Sequence, residues 1–370
     1  VYSIACQMES TRTRFVVALV GGTFLVYSVY RYLQIRDISE WIPVGTVGTL
    51  WIYPIKSCYR KEVEWLNCTT SGPSQGELSD RQFVIIDEES ELMCTARQMP
   101  KLAVLKVDVC ARFLTVSTPG GLVATANLED VERKEIWRHA ILRKGENSMG
   151  LDCGDEIAEL LNKYCQRNHG ARMLYYPPSK KSEVQRLEWL WKLIGLHRKV
   201  SFVEQSPFYV TTESSLISLN QRLERPVTSA NFRPNIVIEG TEAWEEDRWE
   251  MIRFGDDTVL NCDKLCTRCT VTTVDPESGV KNAAMEPVRT MKQFRPVSEG
   301  KMFNGRSGPV FGVNSSLIAP GVIRTGQAVY VNDSVNTRIA KKTTIESADR
   351  IFLIEQKLLR RCVGALEGSN

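Results

Sequence analysis

Cys262-Asp-Lys-Leu-Cys266-Thr-Arg268-Cys269-Thr-Val-Thr-Thr-Val-Asp275-Pro-Glu-Ser-Gly279 puts three thiols within eight residues and an arginine between the last two. A β-branched run, Thr270–Val274, follows and reads as a strand closed by the Asp275-Pro276 turn. A thiolate at the mouth of a strand, beside a guanidinium that lowers its pKa, suits a soft metal and an anion together. Two other chemistries fit poorly. A zinc ribbon needs a second Cys-x-x-Cys pair, and Cys153 and Cys165 lack that spacing. A thioredoxin-like pair opens a helix in a βαβ unit, whereas this one runs into strand-type residues. On its own, Cys266-Thr-Arg-Cys269 is equally well read as two buried cysteines at a strand edge.

Around this stretch the chain is rich in short strands and lacks a βαβ rhythm. Strand patterns cover Thr46–Ile55, Glu62–Leu66, Gln82–Ile86, Leu92–Ala96, Leu102–Val109, Phe113–Ser117, Leu122–Ala126, Asn235–Glu239 and Met251–Phe254. Helical spacing of Ile157, Leu160, Leu161 and Tyr164 predicts a helix over Asp155–Tyr164, and Thr212 reads as the N-cap of another that Pro226 ends. Residues 177–200 carry Leu187, Trp189, Leu190 and Trp191 and read as an amphipathic helix joining two halves. Residues 336–370 read as a charged helical tail. The domains expected are therefore 1–43 (anchor and linker), 44–176, 177–200, 201–335 and 336–370.

Composition narrows the function. Lys+Arg 47 against Asp+Glu 44 leaves a net charge of +3, too balanced for a nucleic-acid binder. Three histidines, far apart in sequence, argue against a His-rich zinc or iron centre. Eleven irregularly spaced cysteines, six of them single in apolar or strand-like contexts (Cys58, Cys68, Cys94, Cys110, Cys153, Cys165), indicate free thiols and a reducing compartment. Phe15–Tyr30 is an uncharged stretch of roughly 24 Å as a helix, and Arg31–Leu33 lengthens it enough to span a bilayer. No small-residue cleavage site follows, so a retained transmembrane anchor is expected, with the thiol-rich body facing the cytosol.

Basic residues stand at strand or loop boundaries in Lys56-Ser57, Asp80-Arg81 and Asn231-Phe-Arg233-Pro-Asn235. There a guanidinium can fork onto phosphate or a planar heterocycle. Their spacing alone does not show that they converge. No G-x-G-x-x-G opens a helix, and neither a Walker loop nor a serine nucleophile elbow is present.

The ordered set of motifs resembles one family. Val44-Gly-Thr-Val-Gly-Thr-Leu-Trp-Ile-Tyr-Pro-Ile-Lys-Ser-Cys58, Leu78-Ser-Asp-Arg81, Thr95-Ala-Arg-Gln98, Asp152-Cys-Gly154, Ser206-Pro-Phe208, Asn231–Asn235 and Cys266-x-Arg-Cys-x-x-Thr-Thr-Val-Asp-Pro276 are similar, in order, to blocks of the mitochondrial amidoxime-reducing components, a group of MOSC-domain proteins. The resemblance spans about residues 44–332. It implies a mixed, mainly β fold: an N-terminal MOSC-type β-barrel domain and a MOSC β-barrel domain with peripheral helices, preceded by one transmembrane helix.

It also implies a molybdenum-molybdopterin cofactor with Cys269 as the protein ligand to the metal. Lys56, Ser57, Arg81, Ser206, Arg233, Thr267, Arg268 and Asn314 match positions that hold the pterin and its phosphate. Asp275 reads either as a group that supports the ligand strand or handles protons, or as a turn residue before Pro276.

The activity implied is reduction of N-hydroxylated compounds such as amidoximes and hydroxylamines. The metal performs the oxygen transfer, and electrons arrive from NADH through NADH-cytochrome b5 reductase and cytochrome b5. The location implied is the outer mitochondrial membrane.

Some positions depart from the family. Thr267 stands for a more usual serine, Gln205 for threonine, and Gly326-Gln327 lacks an acidic residue. Two other functions are compatible with a MOSC domain. One is a sulfur-handling protein of the molybdenum-cofactor sulfurase kind, with which pyridoxal phosphate is associated at domain level; those proteins carry a desulfurase domain upstream, for which residues 1–43 leave no room. The other is a non-catalytic, membrane-tethered cofactor carrier.

Overall fold

The computed structural model describes residues 41–142, 146–166, 170–177, 206–296 and 308–333. Pro43–Val331 forms one compact unit, which holds nearly all of the described residues. The expected anchor Phe15–Tyr30, the connecting helix beyond Pro177 and the tail 336–370 lie outside the described residues. Among the described residues no helix is long and apolar enough to cross a membrane.

Strand β1 (Ile42–Ile52) is followed by β2 (Lys61–Val63), β3 (Trp65–Thr69), β4 (Gly72–Gln75), β5 (Leu78–Ser79) and β6 (Phe83–Asp87). Next come β7 (Lys106–Cys110), β8 (Phe113–Ser117), β9 (Val123–Asn127), helix α1 (Leu128–Lys134), β10 (Trp137–Leu142), β11 (Glu146–Asp152), α2 (Asp155–Cys165) and β12 (Ala171–Tyr175). Beyond the undescribed stretch lie β13 (Phe208–Thr212), α3 (Glu213–Asn220), α4 (Ser229–Phe232), β14 (Ile236–Glu239), β15 (Trp249–Phe254) and β16 (Thr258–Thr267). The described chain closes with α5 (Val288–Phe294), β17 (Val310–Ala319), β18 (Gly321–Arg324) and β19 (Ala328–Asp333).

The expectation of two barrels is met by one closed barrel and a half-barrel. Strands β14-β13-β17-β16-β15-β19-β1 run side by side, and pairing of β1 with β14 closes them into a ring of seven. The register sets Leu50 opposite Ile236 and Thr46 opposite Glu239. The ring is filled by Leu50, Ile52, Phe208, Ile236, Phe254 and Leu260, all fully buried. The other sheets stay open: β10-β11-β12-β6, β18-β3-β4-β5 and β7-β8-β9. Sheets β10-β11-β12-β6 and β7-β8-β9 surround a second core that includes Phe83, Leu114 and Tyr175, whereas β18-β3-β4-β5 sets Leu66, Cys68 and Ile323 into the barrel core. Helix α2 lays Ile157, Leu160 and Leu161 on that core with Tyr164 packed against it, as its spacing predicts.

Three local expectations change. Leu92–Ala96 forms only isolated bridges, Leu92 to Ile141 and Met93 to Ile86. Leu102–Val109 splits into a 3-10 helix over Pro100–Val104, with proline in its first turn, and β7. Thr270–Val274 is not a strand: Thr270–Thr273 form a 3-10 helix, and the strand lies ahead of the last thiol, in β16. Thr272 Oγ1 donates to the Cys269 carbonyl (3.0 Å) and Thr273 Oγ1 to that of Thr270 (2.7 Å). These bonds give the backbone an alternative to a sheet ladder. Among the single cysteines, Cys110 is exposed while Cys58, Cys68, Cys94, Cys153 and Cys165 are buried, and all nine described cysteines are free.

Thr212 caps α3, accepting from the Ser215 amide. Its hydroxyl donates to the buried Glu246 (3.0 Å), as does that of Ser215 (2.8 Å). Burial nevertheless pushes the Glu246 carboxyl up to about 7. A carboxyl whose folded pKa exceeds its unfolded value stabilises the fold below about 4.5 and loses that contribution as pH rises to about 7. Glu246→Gln is therefore expected to raise stability at pH 8 by about 3 kcal/mol and to flatten its decline over that window. Denaturant titrations of both proteins at pH 5 and pH 8 check this; equal differences at the two pH values contradict it.

Candidate functional site

The motifs singled out in the sequence meet around Asn231–Asn235. At its first residue, the Asn231 side-chain amide donates to the carbonyls of Thr272 and Val274 (3.3 Å each), holding the 3-10 helix that follows Cys269. Its oxygen accepts from the Thr228 amide (3.0 Å) in a capping box at the start of α4. At the last residue, Asn235 is fully buried. Its Nδ2 donates to Asp80 Oδ1 (2.9 Å) and to the Trp51 carbonyl (3.3 Å), and its Oδ1 accepts from the Tyr209 amide (3.2 Å).

Asp80, 1% exposed, completes this node: Oδ1 also accepts from the Tyr53 amide (2.8 Å) and Oδ2 from the Arg81 guanidinium. The turn after β1 thus runs beside Arg81–Phe83. The Arg81 amide donates to the Tyr53 carbonyl (2.8 Å) and the Lys56 amide to that of Phe83 (3.0 Å).

Two arginine-on-tyrosine stacks flank the node. Arg233 caps α4 in a left-handed conformation and lies 4.2 Å from the Tyr53 ring centroid. Burial, and after it the like charge of Arg81, lowers the Arg233 pKa, although Tyr53, Cys58 and Asp80 oppose this. Among the described residues no carboxylate pairs with Arg233. Arg268 lies 4.6 Å from the Tyr209 ring and donates to the Phe232 carbonyl (2.5 Å) and to Cys266 Sγ (2.9 Å). Its Nε is buried with no partner among the described residues. Gly308 is required here, since a Cβ on it would stand 2.8 Å from the Arg268 carbonyl. Ser57, Arg81 and Arg233 all take positive φ (70°, 50° and 60°), a conformation uncommon outside glycine.

The thiols are sorted by these contacts. The guanidinium expected beside Cys269 addresses Cys266 instead, and Cys266 is buried under it. Cys269 is exposed, between Arg268 and the 3-10 helix. Cys262 pairs with Ser315 across β17, and burial pushes its thiol up to about 12. It is held as a neutral thiol. Cys262→Ser is therefore expected to change stability by under about 1 kcal/mol and to leave turnover within twofold; a collapse of activity would reassign the ligand.

The remaining expected residues are distributed more widely. Lys56 is buried and Ser57 half-buried beside the Arg81 corner. Thr267 pairs with Val310 at the end of β16. Ser206 donates to Asp263 (2.8 Å), four residues up β16 from Thr267, and Asn314 is buried in register with Tyr209. Asp275 closes a turn, its Oδ1 accepting from the amides of Glu277 and Ser278 (2.8 Å each). Burial pushes its pKa up, but these bonds outweigh it and hold the carboxyl below its ordinary value. Sequence reading missed Tyr53, Tyr209 and the roles of Asp80 and Asn235. Three of these lie inside quoted motifs; for Tyr209 there was no local signal.

The fold thus joins a closed barrel and a half-barrel and carries an exposed thiol next in sequence to a stacked guanidinium. Residues 44–168 match the MOSC N-terminal beta barrel domain and residues 197–330 the MOSC domain. The chain belongs to the mitochondrial amidoxime-reducing component family. It is 34% identical to mitochondrial amidoxime-reducing component 1 of Mus musculus over 78% of this chain and 82% of the relative. The Homo sapiens protein of the same name gives 34% over 78% and 83%, and component 2 of Rattus norvegicus 33% over 78% and 83%.

Proposed function

We propose that the protein is a molybdenum-cofactor-dependent reductase of N-hydroxylated compounds. The observation that carries this reading is the exposed Cys269 thiol set beside Arg268 and the Asn231–Asn235 node, where cations outnumber the carboxylates they pair with. The residues present fit a phosphate-bearing pterin: the buried Arg268 Nε, which has no partner among the described residues, and Arg233, which no described carboxylate pairs, are donors awaiting an anionic acceptor.

In this reading Cys269 ligates molybdenum, and Lys56, Ser57, Arg81, Arg233, Thr267 and Arg268 hold the pterin and its phosphate. Ser206 and Asn314 are proposed as further contacts. When bound, the cofactor supplies the two-electron removal of oxygen from N–OH, which no side chain of the site can perform. Reduction of an amidoxime to an amidine takes two electrons and two protons and releases water. Side chains already fixed by the node present Arg81 and Arg233 to the cofactor without reorganisation. Asp275, with its lowered pKa, is ionised at neutral pH and so is a poor proton donor; its service is to shape the turn after the thiol loop.

The names of the relatives support a mitochondrial location. We place the anchor at Phe15–Tyr30, the junction of the two MOSC domains within 177–200, and the body on the cytosolic side of the outer membrane. Cytochrome b5 and its NADH-dependent reductase are the proposed electron donors. The test is to purify the full chain in detergent, measure molybdenum and pterin by mass spectrometry, and assay NADH-dependent benzamidoxime reduction with both donors. Stoichiometric molybdenum with turnover is expected. Molybdenum without turnover makes the protein a carrier; zinc, or no metal, overturns the reading.

A further inference from the structure

Tyr53 holds an orphaned group at the centre of the site. The residue is 1% exposed, and its hydroxyl is buried with no hydrogen-bond partner among the described residues. A buried phenol without a partner costs free energy and calls for a reason. Its surroundings are unusual for such a group. The charges that act on it are those of Arg233, Arg60, Asp80 and Arg81: three cations against one carboxylate. The cations are donors only. The carboxylate is occupied, its Oδ1 by the Tyr53 amide and Asn235 and its Oδ2 by Arg81. Among the described residues no acceptor takes the phenolic proton, and burial, the dominant influence, keeps that proton on the oxygen. Tyr53 is also held firmly: its amide and carbonyl are both bonded, and Arg233 covers its ring.

We propose that the Tyr53 hydroxyl is a ligand-binding donor, which hydrogen-bonds an anionic oxygen of the group held by Arg81 and Arg233. This rests on the reading that the site takes a phosphate-bearing pterin, and it adds a contact outside the expected set, which contains no tyrosine. The ring then has two roles. Its face supports the Arg233 guanidinium in the empty and the filled site alike, while its hydroxyl acts only when the site is filled. Tyr53→Phe separates the two, because it keeps the ring and removes the oxygen.

The experiment uses the full chain in two forms, purified from a host that makes the cofactor and from one that cannot. The empty Tyr53→Phe protein is expected to melt at or slightly above the wild-type temperature, because it loses an unsatisfied hydroxyl and no bond. The filled variant is expected to lose part of the stabilisation that filling confers. Pterin released during dilution, followed by its fluorescence after oxidation, is expected to appear about tenfold faster, the effect of one hydrogen bond to a charged group.

Equal release rates in wild type and variant overturn the proposal. So does an equal drop in melting temperature for the empty and filled variants, since that marks a support for Arg233 and nothing more. If the wild-type chain carries no pterin, the functional reading falls, and inorganic phosphate decides Tyr53 by itself. A smaller phosphate-induced melting shift in the variant upholds the donor role, and an unchanged shift rejects it.

Discussion

Cys269→Ser is expected to fold like the wild type and to be inert toward benzamidoxime. The side chain is exposed, so its replacement should move stability by no more than about 0.5 kcal/mol. Serine offers a hard oxygen in place of a soft thiolate and is a poor ligand for the metal proposed here. Altering a residue that merely orients a metal ligand commonly costs 10–100-fold. Loss of the ligand itself should exceed about 100-fold in the rate of NADH-dependent reduction. Pterin retention should fall less steeply, because the guanidiniums that would hold the phosphate are untouched. Full turnover in Cys269→Ser would rule out Cys269 as the ligand and shift attention to Cys266. Cys266, however, is buried and accepts from Arg268, so its substitution should loosen the arginine before it affects any metal.

The second large effect concerns Asp80→Ala. Two oxygens of one carboxylate, 1% exposed, satisfy the Tyr53 amide, the Asn235 side chain and the Arg81 guanidinium. Removing them strands two buried donors and leaves a partly buried cation without its partner. Breaking such a buried pair from one side costs about 3–5 kcal/mol, and the separate losses do not add. Urea titration of the full chain should show that decrease, accompanied by loss of the pterin. Asp80→Asn keeps one acceptor for Tyr53 and Asn235, and should recover much of the stability but not the charge balance at Arg81. A cost under about 1 kcal/mol for Asp80→Ala would mean that the node is not what holds the turn after β1 against Asn235.

The sequence was legible where the information is local or ordered. Alternating strands, the Asp155–Cys165 helix and the Thr212 cap are short-range patterns, and the succession of short motifs identified the family. The convergence of Lys56-Ser57, Arg81 and Arg233 was not legible. It depends on Asp80 and Asn235, 155 positions apart in the chain, finding each other across the fold. The run after Cys269 was misread for a chemical reason: threonine is β-branched and favours strands, yet its hydroxyl can bond a carbonyl three residues back, and here two of them do. The direction of Arg268 was likewise beyond the sequence. Adjacency to Cys269 says nothing of a side chain that turns toward Cys266, Phe232 and Tyr209.

The closure of the ring by its first strand bears on how the gene can be divided. β1 precedes every element of the half-barrel, yet it pairs with β14 from far downstream. Cutting the polypeptide between residues 178 and 205 would give a first fragment with a long strand that has lost its main partners and a second fragment with a six-stranded sheet and two raw edges. Neither fragment is a self-sufficient module, but each carries what the other lacks. Co-expressed, they should reassemble by strand complementation, making the protein a natural candidate for a split reporter whose signal returns only when both pieces meet.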